Sequence, residues 1–151
     1  MPSLSIIFRS KLFLLGLSFL LLALVLSAVS VFYSNPISYS QSGTFGVGEH
    51  PVGNSSFEEH VVTNRSLRLS SKNASIMVSW GSNYTSYNLT GNLTLYPGER
   101  PTVNVFKGEV NYSYEVKAIE YPYSDLAIPA FIFAIVGTIL AWIGLERILR
   151  G

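Results

Sequence analysis

Few side chains in this sequence can do chemistry, and their spacing is poor. His50 and His60 are the only histidines, and each stands beside acid, in Glu49-His50 and Glu58-Glu59-His60. Imidazole with carboxylate can hold zinc or copper. Their ten-residue separation matches no familiar ligand spacing, however, so both are expected as solvated loop residues. The run Gly43-Thr44-Phe45-Gly46-Val47-Gly48 has the look of a phosphate-binding loop. Such a loop needs a helix N-terminus behind it, and often a Lys, to hold phosphate. Here Glu49-His50-Pro51 follows, which points to a flexible or turning segment rather than a nucleotide site.

Asp125 is the only aspartate, so neither a paired-carboxylate site nor a Ser-His-Asp arrangement can be assembled from position. There is no cysteine. That removes disulfides, thiolate metal sites, the blue-copper centre and a cysteine nucleophile together. A net charge of +1 with no Lys/Arg run gives nothing to neutralise a phosphate backbone. The sequence therefore assigns no catalytic, cofactor-binding or metal residue, and predicts a non-enzyme without cofactor, nucleotide or nucleic acid.

One chemical signal does stand out. Seven of the nine asparagines open an Asn-X-Ser/Thr sequon: Asn54, Asn64, Asn73, Asn83, Asn88, Asn92 and Asn111. Only Asn35, before Pro, and Asn104 fail the pattern. Ser and Thr fill 21 of the 92 residues from 33 to 124, so chance pairing would give about two sequons. Turn composition explains frequent Ser, Thr and Asn, but not their pairing. N-linked glycans are expected at several of these positions.

The elements that would carry them follow from charge and hydropathy. Residues 12–48 and 126–145 contain no charged side chain. A first span over 12–32 and a second over 126–145 would each cover about 30 Å as helix, the thickness of a bilayer's hydrocarbon. Pro129 falls in the first turn of the second span, where its missing N–H costs little. Arg9 and Lys11 with Ala28-Val29-Ser30 would also suit a cleaved leader, but 21 apolar residues are long for one, and a retained anchor is predicted. Arg9, Lys11, Arg147 and Arg150 flank the far ends of the spans, which places residues 1–11 and 146–151 in the cytoplasm and residues 33–125 outside the cell. Tyr33, Tyr121 and Tyr123 would form the outer aromatic belt, with Trp142 near the inner one.

Between the spans the period is two. Leu67/Leu69, Ile76/Val78/Trp80, Leu93/Leu95, Val103/Val105 and Tyr112/Tyr114/Val116/Ala118 each share one strand face. Phe57–Thr63 and Thr44–Val47 are weaker strands. Turn residues separate the runs at Gly53-Asn54, Ser71-Lys72-Asn73, Gly81-Ser82-Asn83, Gly91-Asn92, Pro97-Gly98 and Lys107-Gly108-Glu109. Six or seven strands predict an all-β, antiparallel sandwich-like domain over residues 33–125.

Small residues recur down the second span at Ala127, Ala130, Ala134, Gly137, Ala141 and Gly144, spaced by three and four. Gly16, Ala23, Ser27 and Ser30 make a shorter stripe in the first. Within lipid such stripes let helix backbones approach closely; the sequence leaves open whether the seam joins the two spans or docks a larger subunit. The dense sequons, abundant Tyr and Ser and two-span plan resemble surface membrane proteins of hyperthermophilic or acidophilic archaea, a compositional likeness that transfers no functional residue. The first functional expectation is a non-catalytic accessory subunit of a membrane complex, perched on other integral membrane subunits and shielding their outer face. The second is a free-standing envelope glycoprotein for surface-layer attachment or adhesion. An external metal enzyme built on His50 and His60 comes last.

Overall fold

A computed structural model describes residues 10–150. The chain forms two compact units, Pro36–Glu120 and the two flanking ends, Met1–Asn35 with Tyr121–Gly151.

The flanking ends form two helices, α1 (Lys11–Phe32) and α2 (Ala127–Arg150), each long and apolar enough to cross a membrane. Ser10 caps α1, its hydroxyl accepting the Phe13 amide at 3.3 Å, as an N-cap serine should. A 3-10 turn over Ser124–Leu126 leads into α2, with Pro129 in the first turn. Within each helix hydroxyls turn back on their own carbonyls: Ser30 on Ser27 at 2.8 Å and Thr138 on Ala134 at 2.7 Å. Each of these hydroxyls thereby finds its partner within its own helix. The second helix runs five residues beyond the expected 145, because Glu146 and Arg150 pair one turn apart at its end.

The helices are antiparallel and joined by the small-residue stripe. Gly144 lies against Phe13, Gly137 against Gly16 and Leu20, and Gly16 against Ala141. Each step of three or four down α1 is met by a similar step up α2. Gly16, Ala23 and Ser30 are the buried residues of α1, and Ala130, Gly137 and Gly144 those of α2. Phe19 and Phe133 stack across the pair at 5.4 Å. The seam left open by the sequence is intramolecular.

The residues between the helices in sequence form a six-stranded antiparallel sheet: β1 (Asn35–Phe45), β2 (Gly48–Pro51), β3 (Val61–Trp80), β4 (Asn83–Leu95), β5 (Thr102–Lys107) and β6 (Val110–Glu120). The 20-residue β3 is its spine. On one side β3 pairs with β6 through residues 61–70 and with β5 through 75–79; on the other it pairs with β4 through 67–80. β6 continues to β1, and β5 to β2. Because β5 and β6 both run antiparallel to β3 along the same side, they lie end to end, broken at Gly108-Glu109.

That break belongs to a crease across the sheet. Leu67 and Leu69 face inward, and so do Ala74, Ile76 and Val78, although an odd step separates Leu69 from Ala74. A one-residue slip flips every side chain of a strand; a bulge between Ser71 and Ala74 absorbs the extra residue and restores the inward phase. Gly91 of β4 (φ +119°) pairs with Ser71 at the bulge, and Gly108 (φ +86°) lies against Asn73 and Ala74 from the other side. The Ser71 hydroxyl donates to the Glu109 carbonyl at 2.6 Å, tying β3 to the corner. Creased in this way, one sheet curls into a half-barrel around a single core of Leu67, Leu69, Ile76, Val103, Val116 and Tyr114 with their neighbours.

Several local expectations are corrected. Ser71-Lys72-Asn73 and Gly91-Asn92 are kinks inside continuous strands, not turns between them. Phe57–Glu59 is a 3-10 turn, and the strand there begins at Val61. The glycine-rich run 43–48 turns only at its middle: Gly43–Phe45 ends β1, the chain bends at Gly46-Val47, and Gly48 opens β2. The weak strand expected at Thr44–Val47 is the end of the longer β1, whose Pro, Ser and Gln hide a half-buried inner row of Ile37, Tyr39 and Gln41.

Candidate functional site

The two histidines are half-buried, each against an aromatic ring, and they belong to different surroundings. His50 stacks on Phe45 at 4.5 Å, its Nε2 lying 2.8 Å from the Gly46 carbonyl oxygen, while Phe45 in turn stacks on Tyr112 at 3.9 Å. His60 sits edge-on to Phe57, which lies 5.6 Å from Tyr39. Each imidazole is thus held as an aromatic plate. Among the described residues no three His, Cys, Asp or Glu side chains gather as metal ligands would. Asp125 lies in the 3-10 turn before α2, a favourable place for a negative charge near a helix start.

A polar cluster that sequence reasoning missed lies inside the half-barrel. Glu58 Oε2 accepts from Arg65 Nε at 3.0 Å and Nη2 at 2.5 Å, while Oε1 accepts from the Tyr114 hydroxyl at 2.8 Å. The third arm of Arg65, Nη1, donates to the Gly98 carbonyl at 2.6 Å. Burial pushes the Tyr114 phenol up from 10.0, and the Glu58 carboxylate beside it pushes the same way, against Arg65. For Arg65, burial works downward, but the bond to Glu58 and its charge outweigh it and the guanidinium is held above its ordinary value. Three donors converge on the one carboxylate, two on Oε2 and one on Oε1, so Glu58 clasps Arg65 and Tyr114 together. It holds the 3-10 turn and the Gly98 loop on the sheet. Arg100 does the same for the segment before the turn, donating to Val52 and Gly53 carbonyls at 2.8 and 2.9 Å. Only the acid-rich Phe57-Glu58-Glu59 and a lone inward Arg in a strand hinted at it.

The remaining candidates are the sequons. All seven asparagines are exposed. Strand pairing sets their faces, because residues opposite one another in antiparallel strands share a face. Asn92 pairs with Ser70, which pairs with Asn111, so these three form one row across β4, β3 and β6 on the outward face. Neighbouring strands are about 4.8 Å apart, which puts Asn92 and Asn111 about 10 Å from each other. Between them runs a groove of about 440 Å³ lined by Arg68, Ser70, Thr94 and Ser113 beside the two asparagines. Asn88 opposite Ser75, and Asn64 next to Arg65 in β3, also point outward. Asn83 opens β4, Asn73 lies in the bulge and Asn54 before the 3-10 turn. Asn111 Oδ1 accepts from Thr44 at 2.7 Å and Asn54 Oδ1 from the Ser56 amide at 2.9 Å, so each keeps its amide nitrogen free, the atom an N-glycan joins.

No protein family and no curated protein matches this sequence. Among solved structures, the C-terminal domain of a structural protein from Sulfolobus turreted icosahedral virus aligns with 58% of this chain and 95% of its own, at 16% identity and a TM-score of 0.27. Vicilin from Solanum lycopersicum (tomato) aligns with 64% of this chain at 14% identity and a TM-score of 0.26, and the match spans 27% of vicilin's length. Likenesses this slight carry no argument about what the chain does.

Proposed function

We propose that this chain is a free-standing envelope glycoprotein, with α1 and α2 as a two-helix membrane anchor and the half-barrel as a sugar-bearing domain outside the cell. The observation that carries the reading is the exposure of all seven sequon asparagines on a domain whose inward groups are consumed by its own core and clasp. The anchor supports it. Lys11 opens α1 and Arg147 and Arg150 close α2, so antiparallel pairing brings the cations to one end; Tyr33 and Tyr123 meet at the other at 5.0 Å. Cations on the cytoplasmic side and tyrosines at the outer interface are the arrangement the membrane favours. Arg9 lies outside the described residues.

An accessory-subunit role drew on the small-residue stripe as a docking face for other subunits. Since Gly16 and Ala23 of α1 and Gly137 and Gly144 of α2 are buried where the chain's own two helices meet, the stripe asks for no outside partner. The domain's work in this reading is structural or adhesive, done by sugars and sheet surface. Protease added to intact cells should cleave only within residues 33–125, while tags at both termini stay protected. An accessible C-terminus would overturn the orientation, and stoichiometric recovery of another membrane subunit in mild detergent would restore the accessory role.

A further inference from the structure

The free edges of the half-barrel are not defended alike. β2 is four residues long, carries Glu49 and ends in Pro51. β1 has Pro36 near its head, and its Tyr39 and Gln41 are engaged by Phe57 and by the Gly53 amide. Among the described residues β4 pairs with β3 alone, so one side of its 13 residues has no strand beside it. Its sequence, Asn83 to Leu95, has no charge and no proline, is rich in Tyr, Thr and Leu, and exposes Tyr84 to 74%. A long, uncharged edge of high β propensity is a template for another strand, and proteins ordinarily blunt it with Lys, Pro or a bulge. β4 has only the kink at Gly91. What it does have is three of the seven sequons, at Asn83, Asn88 and Asn92.

Their placement suits a guard. Asn88 and Asn92 point outward with their partners Ser75 and Ser70, whereas Asn83, an odd step from Asn88, falls on the opposite face. Sugars would stand on both sides of the edge at intervals of about 13–17 Å, counting about 3.3 Å per residue. An incoming strand would have no longer clear stretch to pair with. We propose that glycans at Asn83, Asn88 and Asn92 are edge guards, which keep β4 from pairing with β4 of a second copy of this chain. The proposal rests on the glycoprotein reading above.

The test begins with the full chain from its native membrane in mild detergent, its glycans mapped by peptide mass spectrometry and its assembly by native mass spectrometry. Sugar-free Asn83, Asn88 and Asn92 would end both this proposal and the glycoprotein reading at these positions. With sugars there, the combined Thr85→Ala, Thr90→Ala, Thr94→Ala variant removes all three sequons through exposed side chains and leaves the asparagines in place. It should shift from one copy per particle to two or more. Adding Ser86→Lys, a charge on the exposed edge, should restore the single copy. Removing the other four sequons by Asn54→Gln, Asn64→Gln, Asn73→Gln and Asn111→Gln should leave one copy. A threonine variant that stays single while folded, as judged by an unchanged circular dichroism spectrum, overturns the guard and leaves the glycoprotein reading intact. Should the threonine variant fold poorly, the same comparison is made with Asn83→Gln, Asn88→Gln, Asn92→Gln. Association that Ser86→Lys does not reverse, or that the four-sequon variant shares, also overturns it.

Discussion

Gly16 and Gly137 meet backbone against backbone: a side chain on Gly137 would begin 2.9 Å from the Gly16 carbonyl oxygen and 3.0 Å from the Leu20 amide nitrogen. Neither atom can move without its helix moving. In lipid, where apolar burial gives no net drive, such close approach is what holds helices together, through dispersion and weak polar contacts.

Gly137→Leu should therefore open the helix pair while leaving insertion intact, because the span stays apolar. The absence of native cysteine makes a clean reporter available: Ala23→Cys with Ala134→Cys, two residues that line the same interhelical groove. Oxidative cross-linking of that pair should fall several-fold on adding Gly137→Leu. Ile139→Ala, at a position 53% exposed on the outer side of α2, should leave it unchanged.

The Glu58 clasp makes alkaline stability depend on one phenol. The folded-state pKa of Tyr114 is raised above 10.0, so the stability its hydroxyl contributes is fully present below that pH. Above it the unfolded chain loses the proton that the folded chain keeps, and stability declines as pH rises toward the folded value, by up to about 1.4 kcal/mol per pH unit. Tyr114→Phe should abolish this alkaline decline in urea melts. At neutral pH the same variant should be less stable by about 1–2 kcal/mol, because Glu58 Oε1 is left buried without its donor.

The crease gives a sharper contrast. At Gly108 a side chain would force a positive φ on an L residue and begin 3.2 Å from the Ala74 backbone, so Gly108→Ala should cost about 2 kcal/mol or more. Gly46 has nothing within 4 Å of such an atom, and Gly46→Ala should change the melting temperature little.

How far these features could be seen in advance depended on whether they were local. Both helices were legible because an uncharged run the length of a bilayer has no other easy home. The strands were legible where alternation was clean, as in Tyr112, Tyr114 and Val116. The crease was not, because Ser71-Lys72-Asn73 and Gly91-Asn92 carry turn residues, and only the partner strand tells a bulge from a turn. Most of β1 was hidden because its inner row is half-buried rather than apolar. The clasp was illegible because Glu58, Arg65 and Tyr114 come together only when β6 pairs with β3. Of the sequons, their number could be read directly, but their row on the outward face needed the register.

The central proposal is a sugar-bearing surface protein that needs no second membrane subunit, and native mass spectrometry of the membrane-extracted protein tests it most directly. The account predicts particles built from this chain alone, each copy exceeding the 16.6 kDa polypeptide by several glycan masses that disappear stepwise as sequon asparagines are changed to Gln. Copies at the bare polypeptide mass, or a fixed stoichiometric complex with another membrane subunit, would contradict it.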